Sequence, residues 1–539
     1  MLTDNILSVR YEILIAVSVT LLAGIILSYF KSSRRNFPPG PWGLPIVGYT
    51  PFLSKHIHLQ FIDLAKKYGD VFSFIRNGNP LVNRTFWTIN TGHGNRAGTP
   101  LERTALLIFA GFSLRLGSEM VIVLNDTESI REALSKQEFL GRPPHSSLSQ
   151  FGEKKAFLMN DIHMWKEHRR FLINSLKDLG FGKTKLEEKI EDEIHGFQSV
   201  LESFKGKPMD LAAPLNPIIS NNLSNFIFGK RYDFDDPERK TLDENLEQTS
   251  EIIAQNDIQI FFPWIKHIPF LPKWLCIEKY FKLYKESEGI FRKQVEEHKE
   301  TLDRKNVRDF IDSYLVEMEY RQKKDEKTSL SEEALIGLML GISGAGIEPV
   351  RTSIIWILYT MAGFLDVQEK VQKEILEVLG PDRNPKYQDQ ISMPFSHAVM
   401  LEVMRWQTIA PLNLLKYTLA DTNVAGYDIP AGTIVMSNFW AVHNDPRYWK
   451  EPEKFKPERF LTPDGKSVVK PPHYMPFSIG KRVCPGKTMA YMEVFVCYVS
   501  ILQKFDVRFP EGYKPTFEGT YTNTYKPPST KIRFIPKNC

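Results

Sequence analysis

The stretch Tyr474–Gly486 reads YMPFSIGKRVCPG and determines how the rest of the chain is interpreted. Gly480 and Gly486 permit tight backbone turns that can approach a flat ligand closely. Pro485 follows the cysteine, and helix-forming residues begin soon after it. Backbone N–H groups at the start of that helix would face the sulfur of Cys484 and adjust its donor strength. The pattern predicts a cysteine that points out of a rigid loop and serves as a metal ligand.

The same loop carries an apolar wall at Phe477 and a cation at Arg482 that is suited to binding a carboxylate. The loop resembles the haem-binding loop of the cytochrome P-450 superfamily, Phe-x-x-Gly-x-Arg-x-Cys-x-Gly, at five positions: Phe477, Gly480, Arg482, Cys484 and Gly486. The resemblance implies a haem b cofactor whose iron is bound by the thiolate of Cys484. The competing interpretation is a structural cysteine, which the match of all five positions disfavours.

The composition of the chain is that of an ordinary globular protein. The chain has 539 residues, of which 42% are hydrophobic and 25% charged, as in packed globular proteins. A net charge of +5 is small for this length and gives no indication of nucleic-acid binding. The four cysteines have no CxxC spacing and lie far apart, which excludes a disulfide framework or a zinc site and fits a reducing compartment: Cys276, Cys484, Cys497 and Cys539.

Two further motifs follow the order of the same superfamily. Glu402 and Arg405 stand three apart in a helical stretch and so share a face. Alone, such a pair is usually a surface salt bridge of little energetic worth. Here Pro457-Glu-Arg-Phe460 follows at the expected distance. The resemblance implies that Glu402, Arg405 and Arg459 form a buried structural network behind the haem.

Other cations are candidates for binding the haem propionates. Trp165 and Arg169 match the superfamily's Trp-x-x-x-Arg, and their i, i+4 spacing places both on one helix face. Lys416 and His473 are further candidates, with ordinary surface charge as the alternative. With these motifs the resemblance covers nearly the whole chain apart from residues 73–112. It is greatest to microsomal animal members that act on steroids, fatty acids and foreign compounds.

The apolar stretch Leu335–Ala362 is predicted to be a long helix, either a plain core helix or the helix above the distal face of the haem. The resemblance implies that Ala345 and Gly346 lie beside bound oxygen and that Glu348 delivers protons. The superfamily's threonine is absent, because its position holds Pro349. Proline lacks an N–H and crowds the preceding turn, so we predict a kink near Ala345.

The resemblance implies a monooxygenase that inserts one atom of O2 into a lipophilic molecule. Pro349 opens two alternatives, an isomerase or dehydratase of lipid hydroperoxides and a catalytically impaired haem protein. The chain carries no GxGxxG loop and leaves no length for a flavin domain, so electrons are expected from a partner. The resemblance implies an NADPH-dependent flavoprotein reductase, docked on the cysteine side through cations that would otherwise be ordinary surface charges: Lys166, Arg170, Lys481 and Lys487.

The N-terminus is interpreted as a membrane anchor. Ile13–Phe30 is free of charge and, with a residue or two of flank, long enough to cross a hydrocarbon core of roughly 30 Å. Basic residues at 31, 34 and 35 follow it, which favours a cytosolic catalytic domain on a single-pass protein of the endoplasmic reticulum. A cleaved signal peptide is the alternative. We assign residues 1–36 to the anchor, 37–45 to a Pro-rich hinge and 46–539 to the catalytic domain.

Two segments of the chain do not match the motifs described above. Ser73–Phe112 interrupts a helix–strand connection with about 40 residues of no clear pattern, so it is interpreted either as an insertion, such as a translated intron, or as a functional loop. Ile258–Trp274 is aromatic, with three prolines and interspersed cations. It is interpreted as a core segment or as a membrane-dipping loop that admits lipophilic substrates. The predicted architecture is a mainly α fold with small β-sheets, in which the haem lies between the distal helix and the helix after Cys484.

Overall fold

The computed structural model describes residues 36–41, 49–54, 56–74, 119–144, 162–179, 184–256, 258–262 and 276–537. The predicted anchor lies outside the described residues, as do parts of the hinge, most of the segment 73–112 and most of 258–274. The described residues form a mainly helical body with small sheets, as the sequence predicts. Its helices are α1 Ile57–Tyr68, α2 Thr127–Ser135, α3 Ile162–Asp178, α4 Thr184–Ser203, α5 Ala212–Phe228, α6 Pro237–Asn256, α7 Ile258–Phe261, α8 Ile277–Thr301, α9 Phe310–Lys323, α10 Glu332–Gly363, α11 Leu365–Leu379, α12 Pro394–Trp406, α13 Phe439–His443 and α14 Lys487–Lys504.

The strands are short. They are β1 Val71–Phe74, β2 Val121–Leu124, β3 Lys416–Tyr417, β4 Thr422–Val424, β5 Tyr427–Ile429, β6 Ile434–Ser437, β7 Phe505–Arg508, β8 Thr520–Tyr521, β9 Tyr525–Lys526 and β10 Arg533–Pro536. The largest sheet has the order β1-β2-β6-β3. Strand β6 pairs in parallel with β2 and antiparallel with β3. An isolated bridge from Gly141 to Tyr417 adds the segment after α2 to this sheet, which brings two distant parts of the chain together beside β3.

Helix α10 is the centre of the helical body. Its 32 residues give a length of about 48 Å, and α5, α8 and α14 pack against it. The side chain of Ser331 accepts a hydrogen bond from the Ala334 N–H and so caps its first turn. Among the described residues it is the one helix long and apolar enough to cross a membrane. Its fully buried Trp356 and Tyr359 identify it as a core helix instead.

Pro349 lies inside α10, which continues from Glu332 to Gly363 without a break. Because proline has no N–H, the carbonyl of Ala345 cannot accept the usual helical bond from residue 349. The hydroxyl of Ser353 donates to the carbonyl of Pro349 at 2.8 Å. This hydroxyl is therefore bonded to the backbone of its own helix, one turn before Ser353. The bend that we expect near Ala345 stays a prediction.

The pairing of β1 with β2 bears on the segment Ser73–Phe112. The register places Val71 opposite Leu124 and Phe74 opposite Val121. If residues 73–112 were absent, Ser113 and Leu114 would take the places of Ser73 and Phe74. The same register would then set Leu116 opposite Glu119, leaving Gly117-Ser118 as a two-residue turn. Glycine at the first position is what such a hairpin turn requires, so the chain without the segment satisfies the geometry of a continuous hairpin.

Deleting Ser73–Phe112 is therefore expected to give a protein that folds and binds its cofactor. The connection between Phe74 and Val121 has 46 residues, and replacing it with a two-residue turn lowers the entropy of loop closure. We expect the free energy of unfolding to rise by up to roughly 2–3 kcal/mol, measured by urea denaturation.

The control deletes one residue more, residues 73–113. That change shifts the strand register by one residue and turns every side chain beyond Phe72 to the opposite face of the sheet. It is expected to destabilise the protein. Equal stability of the two deletion variants, or failure of the first to fold, would contradict the insertion hypothesis.

Candidate functional site

The cysteine loop is fixed by close packing at Gly480. This residue has φ +73°, and a Cβ there would lie 2.1 Å from the carbonyl oxygen of Leu134 on α2, so no other residue fits without movement of the backbone. The N–H of Cys484 donates to the carbonyl of Phe477 at 3.0 Å. Gly486 differs from Gly480, because its φ of −84° is ordinary and a Cβ there would meet no protein atom.

The side chain of Cys484 is accessible to solvent although protein surrounds the residue on its other sides. It is exposed, yet burial raises the pKa of its thiol. The N–H of Gly486 donates to the sulfur, and Arg169 and Lys487 act on it electrostatically, all of which oppose that rise. The predicted N–H contact to the sulfur is thus present. A thiol that is surrounded by protein, is accessible on one side and has an N–H and two cations beside it that favour its thiolate form suits a metal ligand.

A cluster of cations, named here the cation cluster, lies near this loop; three of its members are buried and Arg169 is partly buried: Arg142, Lys416, Arg482 and Arg169. The side chains of Arg482 and Arg169 lie 4.1 and 5.8 Å from the ring centre of Trp165, which is itself buried. Arg169 also donates to the carbonyl of Val483. The structure therefore brings together the Trp165, Arg169, Lys416 and Arg482 that the sequence nominated.

The members of the cation cluster repel one another. Burial, then the charges of Arg142 and Arg482, lower the pKa of Lys416 well below its usual value. Burial, then Arg142 and Arg169, lower that of Arg482. Lys416 donates to the carbonyl of Leu414, which carries no full charge. Buried like charges are costly unless an anion joins them, so the cluster is built for an anionic ligand.

Arg142 is the member that sequence reasoning missed. Its guanidinium donates to the carbonyls of Leu414 and Leu415 at 3.2 and 2.6 Å, directly before Lys416. It stands in an irregular Gly-Arg-Pro-Pro stretch with no periodicity. The bridge between Gly141 and Tyr417 brings it to β3, and that pairing spans 276 positions of the chain.

His473 packs among aromatic side chains rather than with the cation cluster. Its ring stacks on Tyr448 at 5.0 Å and meets Trp449 edge-on at 4.6 Å. The charges that act on it are those of Arg131, Asp445 and Glu128 rather than those of the cation cluster. We therefore do not place His473 among the residues that would hold a propionate.

Glu402, Arg405 and Arg459 form the expected network. Arg405 donates to both oxygens of Glu402 at 2.7 and 2.8 Å, and Arg459 donates to the same carboxylate at 3.0 Å. Both Glu402 and Arg405 are fully buried. Arg405 further donates to the carbonyl of His443. This buried, bidentate arrangement holds α12 to the 3-10 helix Pro457–Phe460, which carries Arg459.

His443 extends that network to the cysteine loop. Its Nε2 accepts a hydrogen bond from the backbone N–H of Met475 at 3.0 Å, so its proton resides on Nδ1, 2.8 Å from the hydroxyl of Thr408. Burial, then the charge of Arg405, lower the pKa of His443 to about 3, so the ring stays neutral at physiological pH. The sequence does not reveal this role, because a lone histidine carries no motif.

On α10, Ala345 is exposed and Gly346 is close-packed. A Cβ on Gly346 would lie 2.7 Å from Leu223 of α5, so the missing side chain allows the two helices to approach. Glu348 accepts hydrogen bonds from Lys526 on β9 and Ser250 on α6, each at 2.8 Å. The acid is therefore held toward α6 and the β8–β9 hairpin.

A family model described as cytochrome P-450 matches residues 109–534 of the chain. The chain belongs to the cytochrome P-450 family. It is 31% identical to cytochrome P-450 2J2 of Homo sapiens over 531 residues, 96% of each chain. It is 34% identical to cytochrome P-450 2U1 of Mus musculus over 524 residues, 94% of this chain and 92% of that one. Cytochrome P-450 18a1 of Drosophila melanogaster is 29% identical over 525 residues, 95% and 89% of the two chains.

As a cytochrome P-450 the protein is a haem-thiolate monooxygenase, an oxidoreductase whose cofactor is haem iron. The residues fit this group, because a haem carries two carboxylates and the cation cluster places positive charges where they can pair with them. Arg142, Lys416 and Arg482 would hold the propionates with Arg169, and Cys484 would bind the iron. Bound iron keeps a coordinating thiol deprotonated, which removes the cost that burial imposes on the thiolate.

Replacing Arg142 with leucine is expected to weaken haem retention in this cytochrome P-450. The substitution removes a buried cation and its two bonds to the segment before Lys416. We expect haem to be released roughly 10-fold faster or more, measured by transfer to an excess of an apo-globin. Arg131→Leu, an exposed arginine on α2, is the control and is expected to leave the rate unchanged. Equal rates for the two variants would remove Arg142 from the haem site.

Proposed function

We propose that this chain is a monooxygenase that inserts one atom of O2 into a lipophilic substrate, such as a steroid, a fatty acid or a foreign compound. The observation that carries the proposal is the position of Glu348. Its ionised carboxylate borders a cavity between α6, α10 and the β8–β9 hairpin, and that cavity is also lined by Glu251 and Lys526. Monooxygenation consumes protons, whereas rearrangement of a peroxide does not, so an acid beside a solvent cavity favours the monooxygenase.

Each part of the site has a distinct task in this reaction. When bound, the haem supplies the iron that activates O2. Cys484 donates electron density through its thiolate, which favours O–O cleavage. Glu348 takes up a proton and passes it to the oxygen side, and the cation cluster would keep the propionates in place. The network of Glu402, Arg405 and Arg459 holds the frame behind the cysteine loop through His443.

The electrons are proposed to come from an NADPH-dependent flavoprotein reductase. Cations of α3, of the cysteine loop and of the start of α14 support a docking face on the cysteine side, and all four are exposed: Lys166, Arg170, Lys481 and Lys487. Oppositely charged surfaces accelerate such encounters and do so less at high salt. We expect reductase-supported turnover to fall as ionic strength rises.

The setting is proposed to be the endoplasmic reticulum membrane. Residues 1–36 would span it once, 37–45 would act as the hinge, and the catalytic domain 46–539 would lie in the cytosol. The aromatic segment Ile258–Trp274 would dip into the bilayer and admit lipophilic substrates.

A second candidate, an isomerase or dehydratase of lipid hydroperoxides, is favoured by Pro349. The proline replaces the hydroxyl that organises protons in the superfamily. Such a reaction needs neither reductase nor NADPH.

The test compares two assays of the purified holoenzyme in vesicles, one with reductase, NADPH and O2 and one with lipid hydroperoxide alone. Oxygenated products of a panel of steroids and fatty acids that require NADPH would support the monooxygenase. Product formed from the hydroperoxide without NADPH would overturn it in favour of the isomerase. Absence of product in both assays would identify a catalytically impaired haem protein.

A further inference from the structure

The carboxylate of Glu348 is bound on both oxygens. One oxygen accepts from the ammonium of Lys526 at 2.8 Å and from the hydroxyl of Thr524 at 3.1 Å. The other accepts from the hydroxyl of Ser250 at 2.8 Å. Burial alone would raise the pKa of Glu348, but Lys526, Ser250 and Thr524 outweigh it, and the pKa is lowered. Glu348 is thus an ionised acid in a partly buried position.

Lys526 is the charged partner among these three. Its side chain is 32% exposed and that of Glu348 is 14% exposed, so the pair connects solvent with the interior. Both residues line the cavity between α6, α10 and the hairpin, whose water-accessible volume of about 30 Å³ provides room for about two water molecules.

Around the cavity, Arg239 and Arg351 pair with other carboxylates, and Lys526 forms the ion pair with Glu348. On α6, Asp243 pairs with Arg239 at 2.6 Å, and Glu247 pairs with Arg351 of α10 at 3.0 Å. Glu251 also lines the cavity and adds negative charge. Without Lys526, Glu348 would face a surplus of carboxylates, which favours its protonated form.

We propose that Lys526 is a positioning residue for Glu348, holding the carboxylate ionised and directed at the water-accessible cavity from which it takes up protons. The inference rests on the proposed monooxygenase function. One oxygen atom of O2 enters the substrate and the other leaves as water, which takes up two electrons from the reductase and two protons from solvent. After Glu348 has passed on a proton, Lys526 binds the carboxylate again and returns it to the cavity.

A purely structural role for Lys526 is the competing explanation, because the hairpin is also tied to α6. The amide of Asn523 donates to the hydroxyl of Ser250 at 2.7 Å and also to its backbone carbonyl. This tie joins the same two elements without contact to Glu348. Asn523→Ala therefore loosens the hairpin while leaving the bond between Lys526 and Glu348 in place, and serves as the matched control.

The experiment measures product formed per NADPH consumed, hydrogen peroxide release and the solvent deuterium isotope effect in the reductase-coupled holoenzyme. Lys526→Met is expected to lower product per NADPH roughly 10-fold and to raise peroxide release and the isotope effect. Lys526→Arg keeps the charge and is expected to restore most of the coupling. In the Glu348→Gln background, Lys526→Met is expected to cause no further loss, because the two residues act as one unit.

A second measurement is independent of turnover. Infrared difference spectra of the ferric enzyme, titrated with pH, follow the carboxyl band that Glu348→Gln removes. Lys526→Met is expected to shift the appearance of that band to higher pH, and Asn523→Ala is expected to leave it in place.

Two outcomes overturn the inference: additive losses from Lys526→Met and Glu348→Gln, or the same loss of coupling in Asn523→Ala as in Lys526→Met. Failure of the proposed function is a different result, because the unsubstituted enzyme would then form no NADPH-dependent product. The infrared titration still reports on the pair between Lys526 and Glu348 in that case.

Discussion

Replacing Cys484 with serine is expected to abolish the thiolate signature in the spectrum of the reduced, carbon-monoxide-bound enzyme. Serine has nearly the same size and keeps the backbone bond to Phe477, but its hydroxyl stays protonated where a thiol ionises. Iron bound without a thiolate loses the electron donation that favours O–O cleavage. NADPH-dependent turnover should fall by more than about 100-fold, the upper end for losing an outer-shell partner of a metal ligand.

Cys276→Ser is the matched control for that substitution. Cys276 precedes α8 and lies far along the chain from the cysteine loop. It is expected to leave both spectrum and turnover unchanged. A thiolate spectrum that survives Cys484→Ser, or one that is lost in Cys276→Ser, would contradict the assignment of the ligand.

Replacing Arg405 with leucine is expected to cause the largest loss of stability among single substitutions in the network behind the cysteine loop. It removes two bonds to Glu402 and leaves that carboxylate fully buried with Arg459 as its remaining cation. Breaking a buried pair on one side costs about 3–5 kcal/mol, because the other charge stays uncompensated. The free energy of unfolding of the holoenzyme, measured in urea by circular dichroism, should fall by about that amount.

An exposed pair of the same geometry provides the comparison. Arg304 donates to both oxygens of Glu319 at 2.8 and 2.9 Å, with side-chain exposures of 59% and 29%. Arg304→Leu is expected to cost about 0.2–1 kcal/mol, because water replaces the lost partner and screens the charge left behind. Similar losses for Arg304→Leu and Arg405→Leu would show that burial does not set the energetic role of the network.

Short motifs predicted those parts of the site whose residues are close in sequence. The loop around Cys484 needs a positive φ at Gly480 and an N–H at the start of α14, and both requirements are local. Glu402 and Arg405 meet because i, i+3 residues share a helix face. Helix α10 was predicted from its continuous apolar character, and its glycine at position 346 is explained by its contact with Leu223.

Residues joined only by the fold escaped prediction. Arg142 meets Lys416 through a bridge between Gly141 and Tyr417, and His443 reaches Met475 from another helix. His473 is the opposite case. Its position near the cysteine loop in sequence made it a candidate for the haem site, whereas in the structure its ring packs on Tyr448.

The sequence by itself predicted the iron ligand and the mainly helical class and showed that the distal threonine is absent, because these follow from residue identity in short motifs and from helical patterns. The tertiary structure decided which charges face one another. It assembled the cation cluster from α3, β3, the cysteine loop and the stretch after α2, and it paired Glu348 with Lys526, 178 positions away. Electrostatic interactions act through space, so burial and pairing follow from the positions of elements that the chain connects only distantly.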